Sequence, residues 1–371
     1  MKGKNRGIGI LAGVLLLVIG FVVFEIFGIP ALKKYQDYQK ADQLLQDGKY
    51  EEAKIIYWSL GEYSNAQEKR KACDYGMAEQ AMKKKDFESA KMLYEELGEY
   101  GDSKDKIKHC DYKIAESYKK EESYEEAAKI YKALGTYKQS KQRLLDCKNG
   151  MAAHYFEACK YQEAYELYDE LAKVNYKGAK KNRQKALQEV AHDAYDEVIE
   201  DVERLDSYAI YYAYYDISGD GVDEMFFYDA KGMTLDNMVG IIKFENGELE
   251  AMGTMELYYP YMHYSKEAKI LYADMASCGC INSEIFQYKD GKVTSAALIH
   301  ASDYEYLKDE LPKGKFKKDD FVYCYTETDK ESQYFTKQEF EAMFQKKYKV
   351  GYDGFWEEYE QIEWNYLCSE E

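Results

Sequence analysis

The stretch "EESYEEAAKIYKALGTY", residues 121–137, is one of four closely similar segments in the N-terminal half of the chain. This repetition predicts the fold of that half. The others are "DGKYEEAKIIYWSLGEY" (47–63), "KKDFESAKMLYEELGEY" (84–100) and "ACKYQEAYELYDELAKV" (158–174). Each copy begins 37 residues after the one before it. A strict period of this size predicts a solenoid, in which each unit buries its apolar face against its neighbours.

The spacing inside each repeat unit is helical. Ala53, Tyr57 and Leu60 lie at positions i, i+4 and i+7, which places them on one face of a short helix. The glycine in "LGEY" and "LGTY" predicts the end of that helix. The other units carry the same residue types at these positions: Ala90, Tyr94, Leu97, Ala127, Tyr131, Leu134, Ala164, Tyr168 and Leu171. A second helix is marked in every unit by one alanine: Ala41, Ala78, Ala115 and Ala152.

This order of small and large positions resembles the tetratricopeptide repeat over residues 35–188. The period is 37 residues, where the usual repeat has about 34, and the proline that ends the usual repeat is absent. The resemblance implies a concave surface that binds another protein or a peptide. A pure spacer that holds the C-terminal region away from the membrane is the alternative. The first unit carries the resemblance through Ala41, Leu44, Gly48, Tyr50, Ala53, Tyr57 and Leu60.

An apolar run precedes the repeats at Ile8–Phe24. The apolar residues that follow extend this run to residues 8–29. A helix of about 20 apolar residues crosses a bilayer core, so residues 8–29 are predicted to span a membrane. Lys2, Lys4 and Arg6 come before the run and favour a cytoplasmic N-terminus, with the rest of the chain extracytoplasmic. A cleaved signal peptide is the alternative, but "FEIFGIPA" offers a poor cleavage site.

The net charge of the chain restricts which kinds of partner it can bind. The chain of 371 residues has a net charge of −18, which argues against nucleic acid, whose phosphates need a basic surface. The length allows two or three domains. We predict a tail and signal-anchor over 1–30, helical repeats over 31–188, and an acidic linker helix followed by a β-rich domain over 189–371.

The C-terminal third has the pattern of antiparallel strands and late helices. "VGIIKFENGELEAMGTM" (239–255) and "EIFQYKDGKVTSAALI" (284–299) are predicted hairpins, because Asn-Gly and Asp-Gly favour two-residue turns. "TKQEFEAMFQKKY" opens with a capping box, Thr336 and Glu339, and predicts a helix. "DGFWEEYEQIEWNYL" (353–367) is predicted to be helical at its start. The predicted fold class is therefore α+β and multidomain.

One loop of this region carries oxygen ligands at alternate positions. It lies in "YYDISGDGVDEMFFYD" (214–229), and it has the spacing with which a chain wraps around a hard cation. Gly221 allows a sharp turn, but Phe227 stands where an EF-hand needs its last glutamate. The candidate ligands are Asp216, Ser218, Asp220, the carbonyl of Val222, and Glu224.

The sequence on both sides of this loop predicts strands rather than helices. The stretch therefore resembles the "DxDGDGxxE" loop between two strands in extracytoplasmic bacterial proteins, including FG-GAP-type and dockerin-like modules. That resemblance implies a structural calcium site closed by Glu224, with Ser218 removing one charge from the usual set. The alternative is a turn that keeps Asp and Gly for conformation alone.

The cysteines and histidines indicate no catalytic site. Cys73, Cys110 and Cys147 recur at one repeat position and are predicted to be small buried residues. Cys278 and Cys280 in "SCGC" form the one local pair that could be a disulfide. The sequence has no H-E-x-x-H, G-x-S-x-G, P-loop or G-x-G-x-x-G pattern, so we predict that the protein is not an enzyme.

Taken together, these patterns resemble surface proteins of Gram-positive bacteria. The predicted function is a membrane-anchored scaffold or adaptor that binds a protein or peptide through its repeats. One alternative is binding of envelope carbohydrate by the aromatic β-rich domain. A less favoured one is a hydrolase, which would need clustered acids, or His263 or His300 folded against Cys278 or Cys280.

Overall fold

The computed structural model divides the chain into two compact regions, residues 1–151 and 152–371. We call them the first and the second region. The description below covers the chain except for residues 1–3, 204–208, 230–236, 258–261, 267, 275–279, 350–359, 362, 364 and 369–371.

The first region is helical, and after its first helix long helices alternate with short ones. The long helices have 18 or 19 residues and the short ones 11. The short helices begin 37 residues apart, as the sequence repeat does. The helices are α1 (Lys4–Val23), α2 (Ile29–Gln46), α3 (Tyr50–Leu60), α4 (Ala66–Lys84), α5 (Phe87–Leu97), α6 (Ser103–Lys120), α7 (Tyr124–Leu134) and α8 (Ser140–Glu157), which crosses the division between the regions.

One helix among the described residues, Gly13–Gln46, is long and apolar enough to cross a membrane. It is continuous through a π-helical turn at Phe24–Gly28 that joins α1 to α2. None of its most apolar 18-residue window is buried by the rest of the chain. Leu17, for example, is 76% exposed.

The repeated residues form the interior of the array. The alanine and tyrosine of each short helix are fully buried, and the alanine allows the neighbouring helix to approach closely. The tyrosine hydroxyl finds a partner on the preceding long helix: Tyr57 Oη donates to Asp42 at 2.5 Å, and Lys69 Nζ donates to the same carboxylate at 2.8 Å. The next unit repeats this arrangement with Tyr94, Glu79 and Lys106. In these two units the buried hydroxyl is thus satisfied by a charged pair, as burial of a polar group requires.

The third unit departs from this arrangement. Glu116 lies at the acidic position, but it pairs with Lys113 of its own helix at 2.7 Å. The hydroxyl of Tyr131 is buried and has no hydrogen-bond partner among the described residues. Arg143 replaces the lysine, and its Nε is likewise buried without a partner there.

Tyrosine clusters explain part of the count of 40 tyrosines. In each of the first three units, one ring on the long helix meets two others edge-on, at centroid distances of 5.6 to 6.1 Å. Edge-to-face contacts of this kind add to the stabilisation that burial provides. The trios are Tyr38, Tyr57 and Tyr63; Tyr75, Tyr94 and Tyr100; and Tyr112, Tyr131 and Tyr137.

The predicted glycine stops are confirmed. Gly61, Gly98 and Gly135 follow α3, α5 and α7 with φ of 60°, 59° and 58°. This left-handed region is open to glycine at no steric cost. Gly76 serves a different purpose, because a Cβ there would lie 2.5 Å from the ring of Tyr50.

The second region begins with two further helices, which precede two antiparallel sheets. The helices are α9 (Tyr161–Lys173) and α10 (Ala179–Glu203). The sheets have the orders β12-β1-β2-β3-β4 and β10-β9-β8-β7-β6-β5-β11. Their strands are β1 (Ala209–Tyr215), β2 (Glu224–Asp229), β3 (Asn237–Glu245), β4 (Glu248–Leu257), β5 (Met262–Ser265), β6 (Ile270–Asp274), β7 (Ile281–Lys289), β8 (Lys292–Asp303), β9 (Phe321–Glu327), β10 (Gln333–Phe335), β11 (Glu360–Gln361) and β12 (Asn365–Cys368).

The predicted hairpins and one of the late helices are confirmed. The β3–β4 and β7–β8 pairs are antiparallel and turn at Asn246–Gly247 and Asp290–Gly291, where all four φ angles are positive. The helix α12 (Lys337–Tyr348) begins with the predicted capping box of Thr336 and Glu339. A short helix α11 (Tyr304–Leu307) precedes it. The segment 353–367 was predicted to be helical at its start, and that start lies outside the described residues. Further along the chain, the structure has the strands β11 and β12.

The layers of the second region follow from its cores. Phe226 and Ile241 of the first sheet share one core with Leu271 and Phe286 of the second, so the two sheets pack face to face. The outer face of the five-stranded sheet is covered by α10 through Ala191 and Tyr195. The outer face of the seven-stranded sheet is covered by α12: Phe340, Phe344 and Tyr348. The order is therefore helix, sheet, sheet, helix.

Candidate functional site

The loop with the predicted ligands connects β1 to β2. The two strands pair antiparallel, and Tyr215 lies opposite Glu224 at the base of the loop. The strands predicted on either side are therefore confirmed. Phe227 belongs to β2, where its ring packs over Gly240 of β3.

Asp216 orders the loop by accepting three backbone hydrogen bonds. Its Oδ1 accepts from the N–H of Gly219 at 2.7 Å and of Asp220 at 3.1 Å. Its Oδ2 accepts from the N–H of Gly221 at 3.0 Å. Gly219 and Gly221 have φ of 78° and 89°, a conformation that glycine adopts at no steric cost. The loop is therefore wound around the Asp216 carboxylate.

Glu224 is a carboxyl group held almost entirely out of solvent. It is 2% exposed, and its Oε2 accepts from the N–H of Ile217 at 2.8 Å and of Ser218 at 3.3 Å. Burial raises the pKa of Glu224 to about 7, although the hydrogen bonds from Ser218 and Ile217 act in the opposite direction. A group with such a pKa is partly protonated at neutral pH unless a positive charge approaches it.

The remaining predicted ligands lie in the same loop. The N–H of Val222 donates to Asp220 Oδ1 at 2.8 Å, and the N–H of Asp220 lies 3.4 Å from Ser218 Oγ. The five predicted ligands thus lie within one nine-residue stretch, and Asp216 and Glu224 both hold its backbone. Across the part of the chain that the structure describes, no group of three or more His, Cys, Asp or Glu side chains is placed to hold a metal ion.

One face of α10 holds this loop through hydrogen bonds that no sequence pattern predicted. Gln188 makes a two-point contact: its Oε1 accepts from the N–H of Asp223 at 2.9 Å, and its Nε2 donates to the Asp223 carboxylate at 2.5 Å. Gln184 Nε2 donates to the carbonyl of Asp220 at 3.3 Å. Tyr195 Oη donates to the carbonyl of Asp223 at 2.8 Å and accepts from the N–H of Phe244 at 2.9 Å.

His192 completes this face. Its Nε2 lies 3.3 Å from the Asp223 carboxylate and 2.7 Å from Gln188 Nε2, and its ring stacks on Tyr214 at a centroid distance of 4.5 Å. The spacing of Gln184, Gln188, His192 and Tyr195 is i, i+4, i+8 and i+11, one stripe of a helix. That spacing was visible in the sequence, but polar side chains at helical intervals are also typical of a solvated face.

The other candidate residues have separate surroundings. His263 is buried in β5, and His300 Nδ1 contacts Asn282 Oδ1. Cys280 Sγ lies 3.3 Å from Ser302 Oγ, while Cys278 lies outside the described residues. The three repeat cysteines are free and buried as predicted, and burial raises the pKa of each thiol to about 11: Cys73, Cys110 and Cys147.

The architecture defines a helical-repeat protein with an antiparallel, β-rich C-terminal region. A comparison with solved structures finds TPR-like repeats of a kinesin light chain from Podosopora anserina, 16% identical to this chain. The match covers 46% of this chain and 92% of that one, with a TM-score of 0.18. A TM-score of that size does not establish a shared fold. No family model and no curated protein matches the chain.

Proposed function

We propose that this protein is a membrane-anchored, extracytoplasmic scaffold or adaptor whose tetratricopeptide-like repeats bind a protein or peptide partner. The proposal assigns it no enzymatic activity. One observation carries it: the buried positions of the repeat are kept from unit to unit, while the exposed positions of the short helices change their chemistry. A spacer needs only the first property, and the large apolar side chains left exposed at the changing positions favour a recognition surface.

The changing positions lie on the outer face of the short helices. In the first unit they are Ile55 and Trp58, which are 64% and 70% exposed. One period later they are Met92, which is 64% exposed, and Glu95. In the third unit they become lysines, at 129 and 132. An exposed tryptophan beside an exposed isoleucine is typical of a residue that anchors a partner, and the lysines favour an acidic end on that partner.

The membrane anchor is supported by the apolar helix. Residues 8–29 have the length of a bilayer span, and the large side chains from Val14 to Ile29 are exposed to between 44% and 76%. Apolar side chains exposed all around a helix are suited to lipid rather than water. The cations at residues 2, 4 and 6 support a cytoplasmic N-terminus.

A structural calcium ion is the second part of the proposal. Asp216, Ser218, Asp220, the Val222 carbonyl and Glu224 would supply oxygen ligands only, which suits a hard cation. The donor chemistry fits, because the buried Glu224 carboxyl has a raised pKa and its ionised form is favoured by a nearby positive charge. Bound calcium would supply that charge. The residues themselves fasten the start of β2 to the end of β1.

Thermal melts of the full chain in detergent test the calcium site. With 1 mM calcium in place of chelator, we expect the second region to be stabilised by about 0.4–1.4 kcal/mol, for a dissociation constant of roughly 10⁻³ to 10⁻⁴ M. Asp220→Ala removes one ligand and abolishes the shift, whereas Asp309→Ala, an equal charge change at an exposed position, keeps it. An unchanged melt in the wild type, or the same shift in Asp220→Ala, would remove calcium from the proposal.

Affinity capture from detergent-solubilised membranes tests the adaptor. The double variant Trp58→Ala/Met92→Ala truncates exposed side chains of the repeats, and Leu298→Ala/Tyr306→Ala truncates two exposed side chains of the β-rich region as a control. We expect a partner that the wild type and the control retain and the repeat variant loses. If every protein retained by the wild type is retained equally by the repeat variant, the spacer alternative is favoured.

A further inference from the structure

A cleft of about 680 Å³ lies between α10 and the β1–β2 loop. The helix contributes Lys181, Gln184, Lys185 and Gln188, and the loop contributes Asp216 and Gly221. A smaller cavity of about 210 Å³ adjoins it and shares Phe156 and Lys185. The volume is that of a site for a small ligand.

The walls of the cleft are fixed. Gln184 and Gln188 tie α10 to the backbone of Asp220 and Asp223. Tyr195 extends the same connection to β3 through the N–H of Phe244. A cleft that is held open by such bonds binds with little cost of reorganisation.

Three lysines meet in this cleft: Lys181, Lys185 and Lys266. All three are exposed, and among the described residues none has an acidic side chain within ion-pair distance. Lys181 also lies in the first turn of α10, where the helix dipole favours negative charge. These lysines place three positive charges around one cavity in a chain with a net charge of −18.

Two of the three carboxylates in the lining, Asp216 and Asp223, already accept hydrogen bonds from the loop and from α10. The Asp216 carboxylate accepts three backbone N–H groups, and Asp223 is held by Gln188 and His192. Glu189 is the other carboxylate in the lining. The three lysines are therefore the groups of the lining that remain to contact anionic oxygens, and the ring of Phe156 is available to the carbon skeleton of a ligand.

We propose that this cleft binds a small organic ligand with two or more anionic groups, either phosphates or carboxylates. The site is separate from the helical-repeat surface and needs no cation in the β1–β2 loop. Lys181 and Lys185 stand one helical turn apart, about 6 Å, so they contact two charged groups of one molecule. Lys266, which directly follows β5, lines the same cleft.

Calorimetric titration of the full chain, in nanodiscs of neutral lipid and in buffer without divalent cations, tests the site. Fructose 1,6-bisphosphate is the phosphate probe, propane-1,2,3-tricarboxylate is the carboxylate probe, and fructose is the neutral control. We expect saturable binding of at least one anionic probe and none of fructose. The probe that binds more tightly identifies the anionic group.

The matched variants are Lys181→Gln/Lys185→Gln and, as a control, Lys289→Gln/Lys292→Gln at the β7–β8 turn. Both remove two exposed positive charges from the second region. The cleft pair is expected to weaken binding by about tenfold or more, and the control pair by less than about twofold. Equal weakening by both pairs, or no saturable binding of either anionic probe by the wild type, overturns the proposal.

Discussion

The surroundings of Glu224 set the pKa of its carboxyl group. In the sequence it is one of 69 acidic residues. In the structure it is 2% exposed, receives two backbone hydrogen bonds, and has a pKa raised to about 7 by burial. Its protonation is therefore linked to the stability of the second region.

The sign of this linkage can be tested. A carboxyl whose pKa is raised on folding binds its proton more tightly in the folded state, so its contribution favours folding at low pH. Without calcium, the free energy of unfolding is expected to fall as pH rises from about 4.5 to above 7. The loss is at most about 3 kcal/mol. Denaturant titrations in chelator at several pH values measure it.

Glu224→Gln removes the titrating group, so this part of the pH dependence should disappear. Glu248→Gln, at the β3–β4 turn, makes the same charge change at an exposed position and should leave the pH dependence intact. A wild-type profile that stays flat between pH 5 and pH 8 would contradict the role of Glu224.

At the scale of elements, the repeat units show how one packing arrangement tolerates a local change. The first two units satisfy the buried tyrosine hydroxyl with an acid and a lysine. The third unit keeps the tyrosine, but Arg143 occupies the position of the lysine. The acid of this unit, Glu116, pairs with Lys113 instead. The helices persist in all three because each unit keeps the buried alanine, the buried tyrosine ring and the glycine that ends the short helix.

Removing one tyrosine hydroxyl at a time should affect stability differently in the second and third units. Tyr94→Phe breaks a bond to the charged Glu79 and is expected to destabilise the first region by about 2 kcal/mol. Tyr131→Phe removes a buried hydroxyl that has no partner among the described residues, and it should be neutral or stabilising. Urea unfolding followed by circular dichroism at the helical band compares the two. Equal destabilisation by both variants would refute this account of the hydroxyls.

At the scale of the whole molecule, the question is on which side of a membrane the chain lies. The predicted orientation places everything after residue 30 outside the cytoplasm. Cys159 is free and exposed, so it offers a chemical test. The buried thiols of the three repeat cysteines should react far more slowly.

A membrane-impermeant maleimide should label Cys159 in intact cells. The expected signal is the labelling that the wild type shows and Cys159→Ser lacks, read by mass spectrometry of the peptide. Cys159-dependent labelling that appears only after the cells are lysed would place this part of the chain in the cytoplasm and contradict the proposed orientation.

Much of the architecture could be read from the sequence because its causes are local. The glycines at 61, 98 and 135, the Asn-Gly and Asp-Gly turns, and the capping box at Thr336 each act within a few residues. A period of 37 residues then multiplies a single helix pair. The apolar run at residues 8–24 is likewise a property of composition.

The tertiary structure decided what depends on residues far apart in the chain. Gln188 and Asp223 are 35 residues apart, so no local sequence pattern predicts their contact. The same holds for the burial of Glu224 and for the lysines that meet beside the loop. The sequence by itself determined the repeat, the hairpins and the identity of the loop. Long-range packing of α10 on the first sheet determined what that loop touches, because burial and electrostatics depend on distance in space.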